Sequence, residues 1–323
     1  MGSNYRDRVW PNPELPAPAA VIKTGPQDPS PACEDLAKTP NAGRTRREVH
    51  LSWAMISFVI PAYNEERLLG RTISSIHDST RPTGLAYEVL VVNDASTDRT
   101  PVIARSLGAE VIDVQLRHIA AVRNAGARRA RGEVLIFVDA DTVVTPTAVR
   151  MALDAVARGA IGGAARCGFD EPLPLFARVS AFLFFRGVYL LGMATGVFIF
   201  ATREGFAKVG GFDERYYTAE DCYLAKSLRK AGKFILLPTY VETSGRKMRA
   251  YKPWKLIKLF GRLLLCGEKA MQSREGLEYW YDPPRDAADP QPAPQPAPQH
   301  ASGAMHKAPA AGPAVELHSG SVR

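Results

Sequence analysis

Two aspartates one residue apart, Asp139 and Asp141, follow the apolar run Val134-Leu135-Ile136-Phe137-Val138 and so fall at the carboxyl end of a buried strand. Open α/β sheets bind their ligands at that edge. Mg²⁺ is commonly held there by one or two carboxylates together with substrate phosphates. The chemistry that suits this spacing is metal-assisted handling of a phosphate ester. An Asp-Ala-Asp turn is also an ordinary surface turn or helix entry, so its meaning depends on what else reaches the same edge.

The elements that must position these acids are strands and helices in alternation. Residues 55–60 form a short apolar strand ended by Pro61, and Leu68, Leu69, Ile73 and Ile76 predict a helix over 65–76. A second buried strand covers 87–92. Asn93-Asp94-Ala95-Ser96-Thr97-Asp98 then supplies turn and N-cap residues for a helix carrying Val102, Ile103 and Leu107. A short strand at 110–114, an Ala- and Arg-rich helix at 120–131 closed by Gly132, and the strand at 134–138 complete the series. Such β-α-β alternation predicts an α/β fold, a Rossmann-like, mostly parallel sheet with helices on both faces. The turns Pro61-Ala62-Tyr63-Asn64-Glu65, Asn93-Asp94 and Asp139-Ala140-Asp141 then open on one edge. Singly, Asn64, Ser96 and Asp98 are plain capping residues; together the three turns make a site.

The rest of the chain bounds the reading. Its 323 residues carry a net charge of +8, with 46% hydrophobic and 23% charged residues, a globular composition. Residues 1–52 are Pro-rich and 283–323 Pro- and Ala-rich, and both read as disordered tails. A catalytic domain is expected over 53–248 and a basic, amphipathic helical segment over 249–282. Cys33, Cys167, Cys222 and Cys266 lack paired spacing, which points to a reducing, cytoplasmic setting. No signal-type leader is expected, and Arg6 stands where a myristoylation motif wants Ser or Thr. The apolar stretch 179–201 is interrupted by Arg186, Gly192 and Gly196 and reads as a helix-like piece followed by the strand Val197-Phe198-Ile199-Phe200. No P-loop or Gly-x-Gly-x-x-Gly follows the first strand, which speaks against kinases and dehydrogenases.

In order, Pro61-Ala62-Tyr63-Asn64-Glu65, Val91-Val92-Asn93-Asp94-Ala95-Ser96-Thr97-Asp98, Ala121-Val122-Arg123-Asn124-Ala125-Gly126, Asp139-Ala140-Asp141, Gly210-Gly211-Phe212-Asp213-Glu214 and Glu220-Asp221 resemble the motif series of family 2 glycosyltransferases of GT-A fold. The resemblance spans about residues 55–245 and implies an inverting, metal-dependent transfer of one sugar from a nucleoside diphosphate sugar to an acceptor hydroxyl. It implies a nucleoside pocket lined by Pro61, Ala62, Tyr63 and Glu65, with Asp94 accepting from a base ring N–H and Arg123 facing the nucleotide. Asp139 would reach the ribose or a Mg²⁺ or Mn²⁺ ion, and Asp141 that ion on the diphosphate. Asp221 would be the catalytic base and Glu220 an acceptor-binding or orienting residue; both acids would also be favoured at a helix N-terminus in any protein.

Arg117-His118-Ile119-Ala120 departs from the glycine-containing loop of many members, and no Gln-x-x-Arg-Trp follows Asp221, which favours single transfer over polymerisation. Arg246, Lys247 and Arg249 form either a basic loop over the diphosphate or a solvated cluster. Over 252–265, Trp254, Ile257, Phe260 and Leu264 lie beside Lys255, Lys258 and Arg262. That pattern suits a helix in a membrane interface, at the inner face of the cytoplasmic membrane, and equally a helix packed on protein. The acceptor, a glycan, lipid or small molecule, is not encoded in these motifs, and no nucleic-acid partner is expected. Two other classes share the sheet edge: a nucleotidyltransferase that forms nucleotide sugars, whose Gly-rich basic loop is missing after the first strand, and a non-catalytic nucleotide-sugar-binding protein.

Overall fold

The computed structural model describes residues 55–170, 178, 186–187, 194–246, 271–275, 277 and 281. The expected tails, most of the apolar piece before Val197, Lys247, Arg249 and the 252–265 segment lie outside them. Among the described residues eight strands form one sheet in the order β3-β2-β1-β4-β7-β6-β8-β5: β1 (Ile56–Ala62), β2 (Tyr87–Asp94), β3 (Glu110–Val114), β4 (Val134–Val138), β5 (Thr142–Val143), β6 (Gly162–Phe169), β7 (Phe198–Thr202) and β8 (Phe234–Thr243). The helices are α1 (Leu69–Thr80), α2 (Thr100–Ser106), α3 (Ile119–Arg129), α4 (Pro146–Ala157), α5 (Arg203–Lys208) and α6 (Glu220–Ala231).

Side-chain alternation on the strands divides the core in two. Phe58, Ile60, Ile136 and Val138 face Leu69, Ile73 and Ile76 of α1 and Val149 of α4 on one side. Val59, Leu135 and Phe137 face Val122 of α3, Phe206 of α5 and Leu224 and Leu228 of α6 on the other. Helices cover both faces, as the alternation predicts. The sheet is parallel from β3 through β2 and β1 to β4. Beyond that it is mixed, with β7 antiparallel to both β4 and β6 and β8 parallel to β6.

Several local boundaries differ from the sequence expectation, with β2 running on to Asp94 and the first helix to Thr80. Pro61 does not end β1: it pairs with Val92 of β2, beyond the last β1–β4 pair at Val59 and Phe137. With β4 already finished there, a residue without an N–H is tolerated. The first helix begins at Leu69 rather than at residue 65. The amides of Asn64, Glu65 and Glu66 are taken by Ser96 Oγ at 3.0 Å, Thr100 Oγ1 at 2.8 Å and Asp98 Oδ2 at 3.1 Å, so this stretch is tied to the β2–α2 turn before helix can start.

Candidate active site

The cross-ties run both ways. Asn64 Oδ1 accepts from the Thr97 amide at 2.8 Å, and Glu66 Oε2 accepts from the Arg99 amide at 3.0 Å, so the turns after β1 and β2 form one unit. Asn64, Ala95 and Arg117, one after each of β1, β2 and β3, and Ala219, just before α6, have positive φ of 54°, 58°, 48° and 60°. Non-glycine residues adopt this conformation only where their surroundings enforce it, and such strain gathers at functional sites.

On the β1–β3 side, Pro61 and Ala62 close β1, and Tyr63 projects beyond them with the Arg117 guanidinium 3.8 Å over its ring, a cation–π contact. Asp94 Oδ1 accepts from the amides of Leu116 at 2.7 Å and Arg117 at 3.0 Å. That carboxylate therefore builds the β3–α3 loop and holds Arg117 against Tyr63, with Oδ2 left outside those two bonds. Glu65 is ion-paired with Arg246, whose Nη2 is also 3.9 Å from Asp141 Oδ2. Asp141 is fixed further by Thr243, whose hydroxyl donates to Oδ1 at 3.1 Å. Arg246 thus bridges the turn after β1 and the turn after β4.

Arg123 is 2% exposed, not on the open edge but beneath it. Its Nη2 lies 2.6 Å from Asp139 Oδ1 and its Nη1 2.5 Å from Glu220 Oε1. Burial disfavours its charge, yet Asp139, Glu220 and Asp221 outweigh that and raise its pKa above the ordinary arginine value. The acids respond in turn. Burial pushes Glu220 up to about 7 against the pull of Arg123, and burial likewise raises Asp221. With every group ionised, three carboxylates face one guanidinium, an excess of negative charge that protonation or a further cation relieves. The cluster depends on Gly196, where a Cβ would lie 2.8 Å from Arg123 Nη2 and 3.1 Å from Asp221 Oδ2.

Asn124, next to Arg123 on α3, is the residue that sequence reasoning quoted in a motif and did not assign to the site. Its Oδ1 accepts from the Phe212 amide at 2.9 Å, and its Nδ2 donates to Phe212 O and to Glu214 Oε1, both at 2.9 Å. Gly210 and Gly211, with φ of 81° and 78°, make the reversal that presents Phe212 to it. Successive residues of α3 therefore tie down two different segments: Arg123 the start of α6, and Asn124 the Gly-Gly-Phe-Asp-Glu loop. Adjacency in the sequence was the available signal.

Asp139 and Asp141 offer hard carboxylate oxygens at the end of β4, the donor type that Mg²⁺ and Mn²⁺ prefer. Both act electrostatically on the buried Cys167 thiol, which burial first and these two acids next push up to about 12. Among the described residues no group of three or more His, Cys, Asp or Glu side chains is gathered as a metal cage. The pair fits a cation completed by phosphate oxygens and water, and Arg246 is placed to neutralise Asp141 without one. Among the described residues no helix is long and apolar enough to cross a membrane.

A mixed α/β sheet with acid-bearing turns at the ends of β1, β2 and β4 and an acid pair opening α6 defines a protein of GT-A type. Residues 57–201 match the family model described as glycosyl transferase family 2. The chain is 34% identical over 150 residues to a validoxylamine A glucosyltransferase of Streptomyces hygroscopicus subsp. limoneus, covering 44% of this chain and 31% of that protein. It is 31% identical over 114 residues to an undecaprenyl-phosphate 4-deoxy-4-formamido-L-arabinose transferase of Pseudomonas paraeruginosa, covering 32% and 33%. The chain thus spans about a third of the length of these curated relatives. Among solved structures, the mannosyltransferase PcManGT of Pyrobaculum calidifontis, in complex with GDP-Man and Mn²⁺, has a TM-score of 0.51 at 24% identity, covering 63% of this chain and 60% of that one. That likeness shows the fold.

Proposed function

We propose that this protein transfers a single sugar from a nucleoside diphosphate sugar to an acceptor hydroxyl with inversion at the anomeric carbon. The observation that carries the proposal is the Arg123 bridge, 2.6 Å from Asp139 and 2.5 Å from Glu220. It ties the strand end suited to the donor to the helix start suited to the acceptor. The Tyr63–Arg117 stack and Asp94 would hold the nucleoside, with Pro61, Ala62 and Glu65 lining the pocket. Asp139 and Asp141 would hold a Mg²⁺ or Mn²⁺ ion, which supplies Lewis-acid stabilisation of the departing diphosphate. Arg246 would add positive charge on the same side.

Asp221 is the base in this reading. The acceptor oxygen attacks the anomeric carbon opposite the diphosphate, the carbon–oxygen bond to the phosphate breaks, and the acceptor proton passes to an Asp221 oxygen. A raised Asp221 pKa suits a proton acceptor, since basicity rises with it. Glu220 orients the acceptor hydroxyl, and Arg123 keeps the two acids in place. A lipid-linked or cell-envelope acceptor, met at the inner face of the cytoplasmic membrane, is the proposed target class. It is supported by the basic amphipathic sequence pattern over 252–265 and by the likeness to an undecaprenyl-phosphate 4-deoxy-4-formamido-L-arabinose transferase. The test is a thermal-shift screen of nucleoside diphosphates with Mn²⁺, followed by donor hydrolysis with the base it selects. A stabilising diphosphate and a slow release of free sugar are expected; pyrophosphate release from a nucleoside triphosphate and a sugar phosphate would replace this reading with nucleotidyl transfer.

A further inference from the structure

The left-handed Ala219 delivers Glu220 and Asp221, and the backbone of the residue two places before it, Tyr217, is held by residues far downstream. Its amide donates to Met271 O at 2.8 Å, and its carbonyl accepts from the Tyr281 hydroxyl at 2.8 Å. The two rings meet edge to face at 6.1 Å and 67°, and the Tyr217 ring also meets His118, 4.3 Å away at the start of α3. Leu277 and Tyr281 are 2% and 8% exposed, so both side chains are buried. Both polar backbone groups of Tyr217 are thus satisfied by one segment.

We infer that Tyr281 is a positioning residue: with Met271 it clamps Tyr217 and so sets the turn that aims Glu220 and Asp221, making Met271 and Tyr281 part of the acceptor side. The inference rests on Asp221 being the base. Burial keeps the Tyr281 phenol protonated, with Glu220 adding to the effect, so the hydroxyl is a permanent donor to the Tyr217 carbonyl. Removing that donor takes a hydrogen bond from a part-buried carbonyl and gives the αL residue Ala219 room to relax. A role in packing alone would change overall stability and leave turnover per folded molecule untouched.

The experiment compares the full-length chain with Tyr281→Phe, which keeps the ring and removes only the donor. Amide exchange of residues 216–221 is expected to quicken by at least about fivefold, the scale of one lost hydrogen bond, with exchange in β1, β2 and β4 unchanged. Turnover of whichever of UDP-glucose, UDP-GlcNAc or GDP-mannose the parent protein uses is expected to fall about tenfold in kcat at constant donor KM. Unchanged exchange at 216–221, or a kcat within twofold of the parent, overturns the inference. If the parent transfers no sugar while exchange still quickens locally, the clamp stands and the reading of Asp221 as base falls. Should Tyr281→Phe fail to fold, Leu277→Val loosens the same segment more gently; local quickening at 216–221 is then expected, and its absence is contrary.

Discussion

Arg123 and Glu220, 97 positions apart in the sequence, meet inside the protein at 2.5 Å between Nη1 and Oε1. The guanidinium spends its other arm on Asp139 at 2.6 Å. One planar fork therefore joins the end of β4 to the start of α6.

Removing it should be severe. Arg123→Ala takes the guanidinium away from the buried Glu220 and from Asp139, and breaking a buried pair costs about 3–5 kcal/mol. Arg123→Lys keeps the charge as a point and loses the fork. Denaturant unfolding is expected to rank the parent above the Lys variant and the Lys variant above Ala. A Lys variant equal to the parent in stability and transfer would mean that charge alone matters here.

Glu220 gives the protein a pH signature. Its folded pKa of about 7 lies above its ordinary value of 4.5. Its contribution to stability is therefore complete below about 4.5 and is lost as the pH rises through 7. Glu220→Gln stays neutral throughout, so it should match the parent near pH 4.5 and exceed it near pH 8, by at most about 3 kcal/mol. Parallel stability curves for the two proteins across that range would remove burial as the controlling effect at this carboxyl.

Gly196→Ala tests how tightly the cluster is packed. The new Cβ would fall 2.8 Å from Arg123 Nη2 and 3.1 Å from Asp221 Oδ2, so one or both must move. Displacements of about an ångström at a reacting group lower rates by up to about a hundredfold. We expect transfer to fall by about ten- to a hundredfold, with circular dichroism and nucleoside diphosphate affinity unchanged. Parent-like transfer would show that the cluster has slack.

Much of this was legible in the sequence because periodicity and turn chemistry are local. The run Val134–Val138 and the α3 helix emerged near their observed limits, whereas Asn93 and Asp94, expected in the turn, close β2 and the N-cap of α2 is Arg99. The late start of α1 was not legible, since it results from Ser96, Asp98 and Thr100 capturing the amides of residues 64–66 across the sheet edge. The antiparallel β7 was equally hidden: Phe198–Thr202 reads as a buried strand in either direction. Arg123 was expected to face the nucleotide, but its burial between acids from β4 and α6 depends on which elements become neighbours, and a helix carrying Val122-Arg123-Asn124 bears no mark of that. Tyr281 lay in a segment expected to be a separate basic helix, and its tie to Tyr217 over 64 positions has no local signal.

The metal assignment turns on Asp141. With Asp139 and Asp141 as the donor pair, nucleoside diphosphate binding should require a divalent cation, weaken sharply in EDTA, and lose its metal dependence in Asp141→Ala. Titration calorimetry with and without Mn²⁺ measures this. Equal affinity under both conditions in the parent, unchanged by Asp141→Ala, would assign the diphosphate to Arg246 and its neighbours alone.

Asp221→Asn bears most directly on the central claim, that the acid pair opening α6 activates an acceptor hydroxyl against a nucleotide-bound sugar. The amide preserves shape and size and cannot take up the proton. The account predicts that nucleoside diphosphate affinity, read by calorimetry, stays within about twofold, while transfer falls by at least about a hundredfold, the lower range for loss of a general base. Near-parent transfer by the Asn variant would contradict it and leave Asp221 as a capping residue of α6.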